Sequence, residues 1–298
     1  MSHGIGKGDA VFTTNFSFFA TAEVISLVGA TPIFVDIDED TFNLNYKLLD
    51  LEIDRVKKEG NLNPKCIIAV DLFGLPAEYN KISKIAKKNN LLLIEDAAQS
   101  FGATYDDKKT CSFGDIAATS FYPAKPFGCY GDGGAIFTND SKIAEICRSI
   151  RVHGQGTDKY DNIRVGINSR LDTIQAAVLI NKFEIFDEEL RLRNLIAKKY
   201  TTLLMDYVKT PYIPNNCKSS WAQYSIIIEN REPMIEKLNN NKIPTAIFYK
   251  IPFNKNPIFN SNGNYAISNK VSKKILSLPM HPYLNENDIK KIADLFKN

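Results

Sequence analysis

The sequence predicts an α/β protein: a large domain on a mostly parallel sheet, then a smaller α+β domain. Three observations carry that prediction. Short apolar runs such as Cys66–Val70 and Leu91–Ile94 alternate with helical stretches, the pattern of a parallel sheet buried on both faces. The second of these runs ends in Glu95-Asp96, at the carboxyl end of a strand, where open parallel sheets meet their ligands. A long helical tract, Asn168–Tyr207, separates this region from one of different texture beyond Pro211.

In chain order, Gly4–Asp9 is a turn-rich start and Ala10–Phe12 a short strand. Phe16–Gly29 has Ala20, Val24, Leu27 and Val28 at helical spacing, with Gly29 as its stop. Thr31–Val35 is a strand closed by the acidic turn DIDED, and Tyr46–Glu59 is a helix. The pattern repeats with Cys66–Val70 as a strand, Asn80–Asn89 as a helix and Leu91–Ile94 as a strand. Ile116–Phe121 and Ala135–Thr138 are two further strands, and Ser141–Arg151 is a helix. The Asn168–Tyr207 tract is long enough to bridge two domains and is expected to break near Phe186-Asp187. Beyond it come a strand at Tyr224–Ile228, a helix at Pro233–Asn240, a strand at Pro244–Phe248 and a helix at Asn285–Lys297. The division falls at residue 190, giving a large domain over residues 1–190 and a linking helix with small domain over 191–298.

Composition narrows the function classes. The net charge of +3 is small and spread out, and the pairs Lys87-Lys88 and Lys273-Lys274 read as solvated helix faces, so no nucleic-acid partner is expected. Five cysteines, widely spaced and without a C-x-x-C pair, argue against a disulfide framework or a zinc site and fit a reducing compartment. No apolar run reaches membrane-spanning length, and MSHGIGKGDAVF has no signal-peptide core. The expectation is a cytoplasmic protein with no metal site and no membrane partner.

The stretch Ser120–Ala135, SFYPAKPFGCYGDGGA, carries the strongest chemical signal. Lys125 lies between Pro123 and Pro126 among aromatic residues, and Gly128, Gly131, Gly133 and Gly134 permit close approach or positive φ. An ammonium kept among apolar groups loses solvation, so its proton affinity falls and a nucleophilic neutral amine becomes available. Read alone, the stretch is equally a tight turn whose lysine reaches to water. Asp96 supplies a partner. Neighbouring strand residues face opposite ways, so Glu95 and Asp96 do not both point into one site, and EDAAQSFGA continues with small residues and Gly102 that leave room for a ligand. A lysine amine and a strand-end carboxylate are the pair that pyridoxal phosphate (PLP) requires: one forms a Schiff base, the other keeps the pyridine nitrogen protonated. Neither a Walker loop nor a dinucleotide glycine fingerprint competes with that reading. Cys129 in PFGCYG raises a thiol-hydrolase reading but has no histidine near it in sequence, and His153 in RVHGQG reads as a loop histidine before a general base.

EDAAQSFGA, SFYPAKPFGCYGDGGA and GINSRLDTIQAA, in this order, resemble the DegT/DnrJ/EryC1/StrS family of PLP-dependent nucleotide-sugar aminotransferases. IPFNKNPIF and LSLPMHPYL extend the resemblance towards the C-terminus. The resemblance implies the fold type I PLP-dependent transferase architecture and, within the family, is greatest to enzymes making 3-amino derivatives of UDP-2-acetamido sugars. It implies transfer of an amino group from L-glutamate to a keto nucleotide sugar, for surface-polysaccharide, lipopolysaccharide or other glycan precursors, in a homodimer with shared active sites.

By position, the resemblance makes Lys125 the cofactor-bearing lysine, Asp96 the partner of the pyridine nitrogen and Gln99 a hydrogen-bond donor to the ring's phenolic oxygen. Ser120 would bind the cofactor phosphate, although on its own it is an ordinary strand-end serine. Phe18 would stack on the ring, although Phe12, Phe16, Phe18 and Phe19 all read equally as core. Asn168 would reach the phosphate held by the neighbouring subunit, while Arg170 and Asp172 hold the helix start. Retention of Lys125 argues against the family's dehydratase branch, in which histidine replaces it. Family members carry a further segment before the point matching Gly4, including a small Gly-Thr loop on the cofactor phosphate. Without that limb, weaker PLP binding is expected, and a catalytically impaired homologue is the second reading.

Overall fold

The computed structural model describes residues 1–298 except 159, 260, 262 and 298. Its main sheet has six strands: β1 (Asp9–Thr14), β2 (Thr31–Val35), β3 (Asn63–Val70), β4 (Leu92–Asp96), β7 (Ile116–Ser120) and β8 (Gly134–Phe137). They lie in the order β2-β1-β3-β4-β7-β8, all parallel except β8, which runs antiparallel to β7 at the edge. Between β4 and β7, the short strands β5 (Thr104–Tyr105) and β6 (Lys108–Lys109) form a separate small sheet with β9 (Cys217–Lys218).

Strand β3 shows why its apolar run does not alternate with polar residues. Ile67 and Ala69 pack on one face against Leu49, Ile53 and Val56 of α2 (Tyr46–Glu59) and Tyr79, Ile82 and Ala86 of α3 (Tyr79–Asn89). Cys66 and Ile68 pack on the other face against Ile25 of α1 (Ala20–Leu27). Both faces of the strand are core, so every position is apolar. Helix α2 has a cap at each end: the Asn45 side chain accepts from the Lys47 and Leu48 amides, and Gly60 closes it at φ 68°. Helix α4 (Ser141–Ile150) is capped in the same way by Asp140.

The predicted break near Phe186-Asp187 is absent. Helix α5 (Thr173–Leu204) runs unbroken for 32 residues, about 48 Å at 1.5 Å per residue. Phe186 and Leu190 share one buried face with Phe121 and Phe127, while Asp187 and Glu188 point to solvent, so the charged pair sits on the polar face and interrupts nothing. The C-terminal half, through Ile196, Ala197, Tyr200 and Leu204, joins a second core. That core contains the antiparallel pair β10 (Tyr224–Ile227) and β11 (Ile275–Leu278), with α6 (Arg231–Asn240) and α8 (Glu286–Asp294).

The predicted strand at Pro244–Phe248 reduces to a single bridge between Ala246 and Ser277, because Pro244 has no N–H to donate and β11 takes β10 as its full partner. Gly102 makes no room for a ligand: at φ +88°, a Cβ there would lie 2.6 Å from Leu190 Cδ1 and 2.8 Å from Phe186 Cε1, so the space serves α5. Helix α7 (Ala266–Lys274), which the sequence reading passed over, begins where Asp36 accepts hydrogen bonds from the Ile267 and Ser268 amides.

Candidate active site

The Lys125 turn is anchored from both sides. Phe121 and Phe127 pack under α5, with Phe127 4.7 Å from the Phe186 ring and 5.2 Å from Phe101. The Lys125 amide donates to Tyr122 O at 2.8 Å, Phe121 N to Gly133 O at 2.8 Å and Cys129 N to Phe121 O at 2.7 Å. The local glycines serve close approach, not positive φ. A Cβ at Gly128 would lie 2.7 Å from Tyr122 O, and one at Gly134 2.7 Å from Thr119 O, while the positive-φ glycines lie elsewhere among the described residues. Cys129 is fully engaged: its buried thiol donates to Phe121 O at 3.0 Å and Gly131 O at 3.1 Å, which leaves no basis for a thiol nucleophile.

Strand register decides what faces Lys125. Asp96 of β4 pairs with Ala118 of β7, and Ala118 with Ile136 of β8, so these three stand side by side on one face. Ser120, two residues beyond Ala118, shares that face at the strand's end, where its Oγ accepts from Tyr122 N at 3.2 Å. Glu95 points the other way, as expected, and its carboxylate accepts from Cys111 N at 2.5 Å and Phe113 N at 2.8 Å. Asp96 and Lys125 act on one another electrostatically. Burial raises the Asp96 proton affinity, opposed by hydrogen bonds from Thr21 Oγ1 at 2.9 Å and Ala98 N at 3.2 Å and by the Lys125 charge. Burial lowers the Lys125 value, and the Asp96 charge opposes that shift.

Gln99 is buried, with Oε1 accepting from Phe73 N at 2.6 Å and Nε2 donating to Tyr249 Oη at 3.0 Å. The Tyr249 ring lies 6.3 Å from Phe18, whose side chain is 57% exposed, whereas Phe12, Phe16 and Phe19 are packed in three separate core clusters. Of the four phenylalanines, Phe18 is the most exposed. Sequence reasoning missed Thr21 and Tyr249. Thr21 lies in the first turn of α1, where nothing in the local sequence marks it as the partner of Asp96, and Tyr249 comes from a loop with no local pattern.

Asn168 is exposed and bridged to Val152. It lines a groove of about 1000 Å³ over Ala118, Gly134 and Ile136, the same sheet face that carries Asp96, with no bond of its own to Lys125 or Asp96. Asp172 stands at the start of α5, but its side chain makes no capping hydrogen bond, and Arg170 is exposed. His153 sits in the exposed loop at φ 57°. The described residues contain no cluster suited to a metal ion, and no helix is long and apolar enough to cross a membrane.

Residues 1–297 match the sequence profile of the DegT/DnrJ/EryC1/StrS aminotransferase family. The chain belongs to this family. It is a sugar aminotransferase of the PLP-dependent type, with the α/β architecture its sequence predicts. A Pseudomonas aeruginosa protein, UDP-2-acetamido-2-deoxy-3-oxo-D-glucuronate aminotransferase, is 45% identical over 100% of this chain and 81% of that protein. Acidithiobacillus ferrooxidans UDP-N-acetyl-3-dehydro-alpha-D-glucosamine 3-aminotransferase is 33% identical over 98% of this chain and 78% of that protein. Among solved structures, a family aminotransferase from Brucella abortus is 50% identical with a TM-score of 0.98, covering 100% of this chain and 81% of that one. DesV from S. venezuelae, solved with a ketimine intermediate, is 30% identical with a TM-score of 0.92, covering 99% of this chain and 79% of that one.

Proposed function

We propose that this family member moves an amino group from L-glutamate to a UDP-2-acetamido-3-keto sugar, in the cytoplasm, to supply surface-polysaccharide or lipopolysaccharide precursors. One observation carries the chemistry: a lysine amine with lowered proton affinity acts on a carboxyl that ends a parallel strand. The P. aeruginosa relative supports the substrate class.

The residues fit PLP. Asp96 is a desolvated carboxyl with only hydroxyl and amide donors besides Lys125, so a protonated ring nitrogen supplies the positive charge it lacks. Lys125, Asp96, Gln99, Ser120 and Phe18 would hold the cofactor, and Asn168 would reach it from the neighbouring subunit. When bound, PLP provides a ring that takes up the electron pair left by breaking a C–H bond beside the amine. Asp96 would hold the proton on the ring nitrogen. Lys125 Nζ, its proton affinity lowered by burial, would take the proton from the donor's α-carbon and return it one position away. The same amine would move the proton in the opposite direction for the keto sugar. Phe18 and Tyr249 would keep water from the ring side, with Gln99 orienting Tyr249.

A homodimer with shared sites is part of this reading. Its support is the exposed apolar surface around Asn168, including Val165 (83% exposed) and Ile174 (75%), which solvent alone would penalise. To test the whole reading, PLP is added to purified protein, followed by L-glutamate and then the keto sugar. An absorbance band near the visible edge should form, be lost with glutamate and return with the sugar. A protein that forms no such band overturns the proposal, and one that bleaches with glutamate but ignores the sugar overturns the acceptor.

A further inference from the structure

We propose that Asp71 is a positioning residue for the active site, whose buried carboxyl clamps the turn carrying Asp96 and Gln99. The proposal rests on the cofactor reading above. Asp71 follows β3 and is 0% exposed, and the neighbouring charge that acts on it most strongly is another carboxylate, Glu95. A carboxyl is costly in such a place unless its oxygens are matched by donors. They are. Oδ1 accepts from Ala77 N at 2.9 Å and Tyr79 Oη at 2.7 Å, and Oδ2 accepts from Ser100 Oγ at 2.6 Å.

The two oxygens face different structures. Oδ1 serves the Asp71 loop itself, through the start of α3. Oδ2 reaches across to Ser100, the residue after Gln99, while the Asp71 amide donates to Asp96 O at 3.1 Å. The turn from Asp96 to Ser100 is therefore held at its first residue by the backbone of Asp71 and at its last by the side chain. Other groups complete the clamp: Thr119 Oγ1 donates to Ala97 O at 2.9 Å, Ser220 Oγ to Gln99 O at 2.6 Å and Thr110 Oγ1 to Ser100 O at 2.7 Å. The Gln99 side chain is aimed by the same loop, since Phe73 N donates to its Oε1 at 2.6 Å. Only the Ser100 bond joins this loop to the turn through the Asp71 side chain, so it can be cut separately from the bonds that hold Asp71 to its own loop.

Ser100→Ala and Tyr79→Phe each remove one hydroxyl from Asp71, on opposite sides. In Ser100→Ala, the PLP dissociation constant is expected to rise about tenfold, the upper end for the loss of one side-chain hydrogen bond. The visible circular dichroism of bound PLP should change, and amide exchange of residues 97–100 in the cofactor-free protein should quicken. Tyr79→Phe should lower the melting temperature while leaving PLP affinity and the exchange of that turn unchanged. Wild-type affinity with wild-type exchange in Ser100→Ala overturns the proposal. Equal loss of PLP affinity in both variants also overturns it, because the effect would then be one of general stability. If the wild-type protein binds no PLP, the cofactor reading fails, and amide exchange in the free protein still decides whether Asp71 clamps the turn.

Discussion

Thr21 Oγ1 donates to Asp96 Oδ2 at 2.9 Å, so a hydroxyl from α1 holds the acid at the end of β4 across 75 residues of sequence. The bond opposes the rise in Asp96 proton affinity that burial causes. Thr21→Val keeps the shape and removes the hydroxyl. Asp96 should then hold its own proton more tightly and share less negative charge with the ring nitrogen. A loss of PLP affinity of about tenfold is expected, read by titration at the visible edge, with little change in the unfolding midpoint.

Lys125 and Asp96 set each other's charge state. Burial lowers the Lys125 proton affinity below the ordinary lysine range and the Asp96 charge opposes that shift. Asp96→Asn removes the opposing charge, so the Lys125 amine should titrate at still lower pH in the cofactor-free protein. The pH dependence of amine labelling at Lys125 measures this. An upward shift in Asp96→Asn would contradict the pairing.

Asp71 also links stability to pH. Its proton affinity lies well above the ordinary carboxylate range because of burial, then because of Glu95; Tyr79, Cys111 and Cys217 are further titratable groups it acts on. In the window from about pH 4, where the unfolded group ionises, up to the raised folded value, the folded chain holds more protons than the unfolded one. Stability therefore falls as pH rises through that window. Asp71→Asn cannot titrate, so its stability relative to wild type should improve from pH 5 to pH 8 in urea unfolding of the cofactor-free protein. A difference that does not change with pH would count against it.

Asp36 caps a helix from a distance. Its Oδ1 accepts from Ser268 N at 2.9 Å and its Oδ2 from Ile267 N at 2.8 Å, at the first turn of α7. Asp36→Ala strands these amides in a buried place and should cost about 3 kcal/mol, at the upper end for a lost cap with unpaired donors. Asp36→Asn should recover part of that loss, and chemical denaturation separates the two.

Some elements were legible because their signal is local. The sequence placed α2 at the bounds it has, since Asn45, the apolar spacing of Leu49, Ile53 and Val56, and Gly60 all lie within one short stretch. The β3 and β4 runs were legible for the same reason, as was the motif bearing Lys125. Helix α7 was not, because it has no side-chain cap of its own and its first turn is stabilised by Asp36, from the other end of the sequence. The roles of glycines were only half readable. Pro and Gly composition marks a tight turn around Lys125, but whether a glycine there serves positive φ or close approach depends on what packs against it.

For the site, motif and strand polarity were enough to propose Lys125 and Asp96 and to give the opposed direction of Glu95, since a two-residue period is a property of any strand. Long-range contact decided the rest. It made Phe18 the exposed member of four similar phenylalanines, set Thr21 on Asp96 and Tyr249 on Gln99, and turned Gly102 towards α5 instead of a ligand. Each of these joins segments far apart in the chain, and spacing within one segment carries no information about which distant side chain will fill the space beside it.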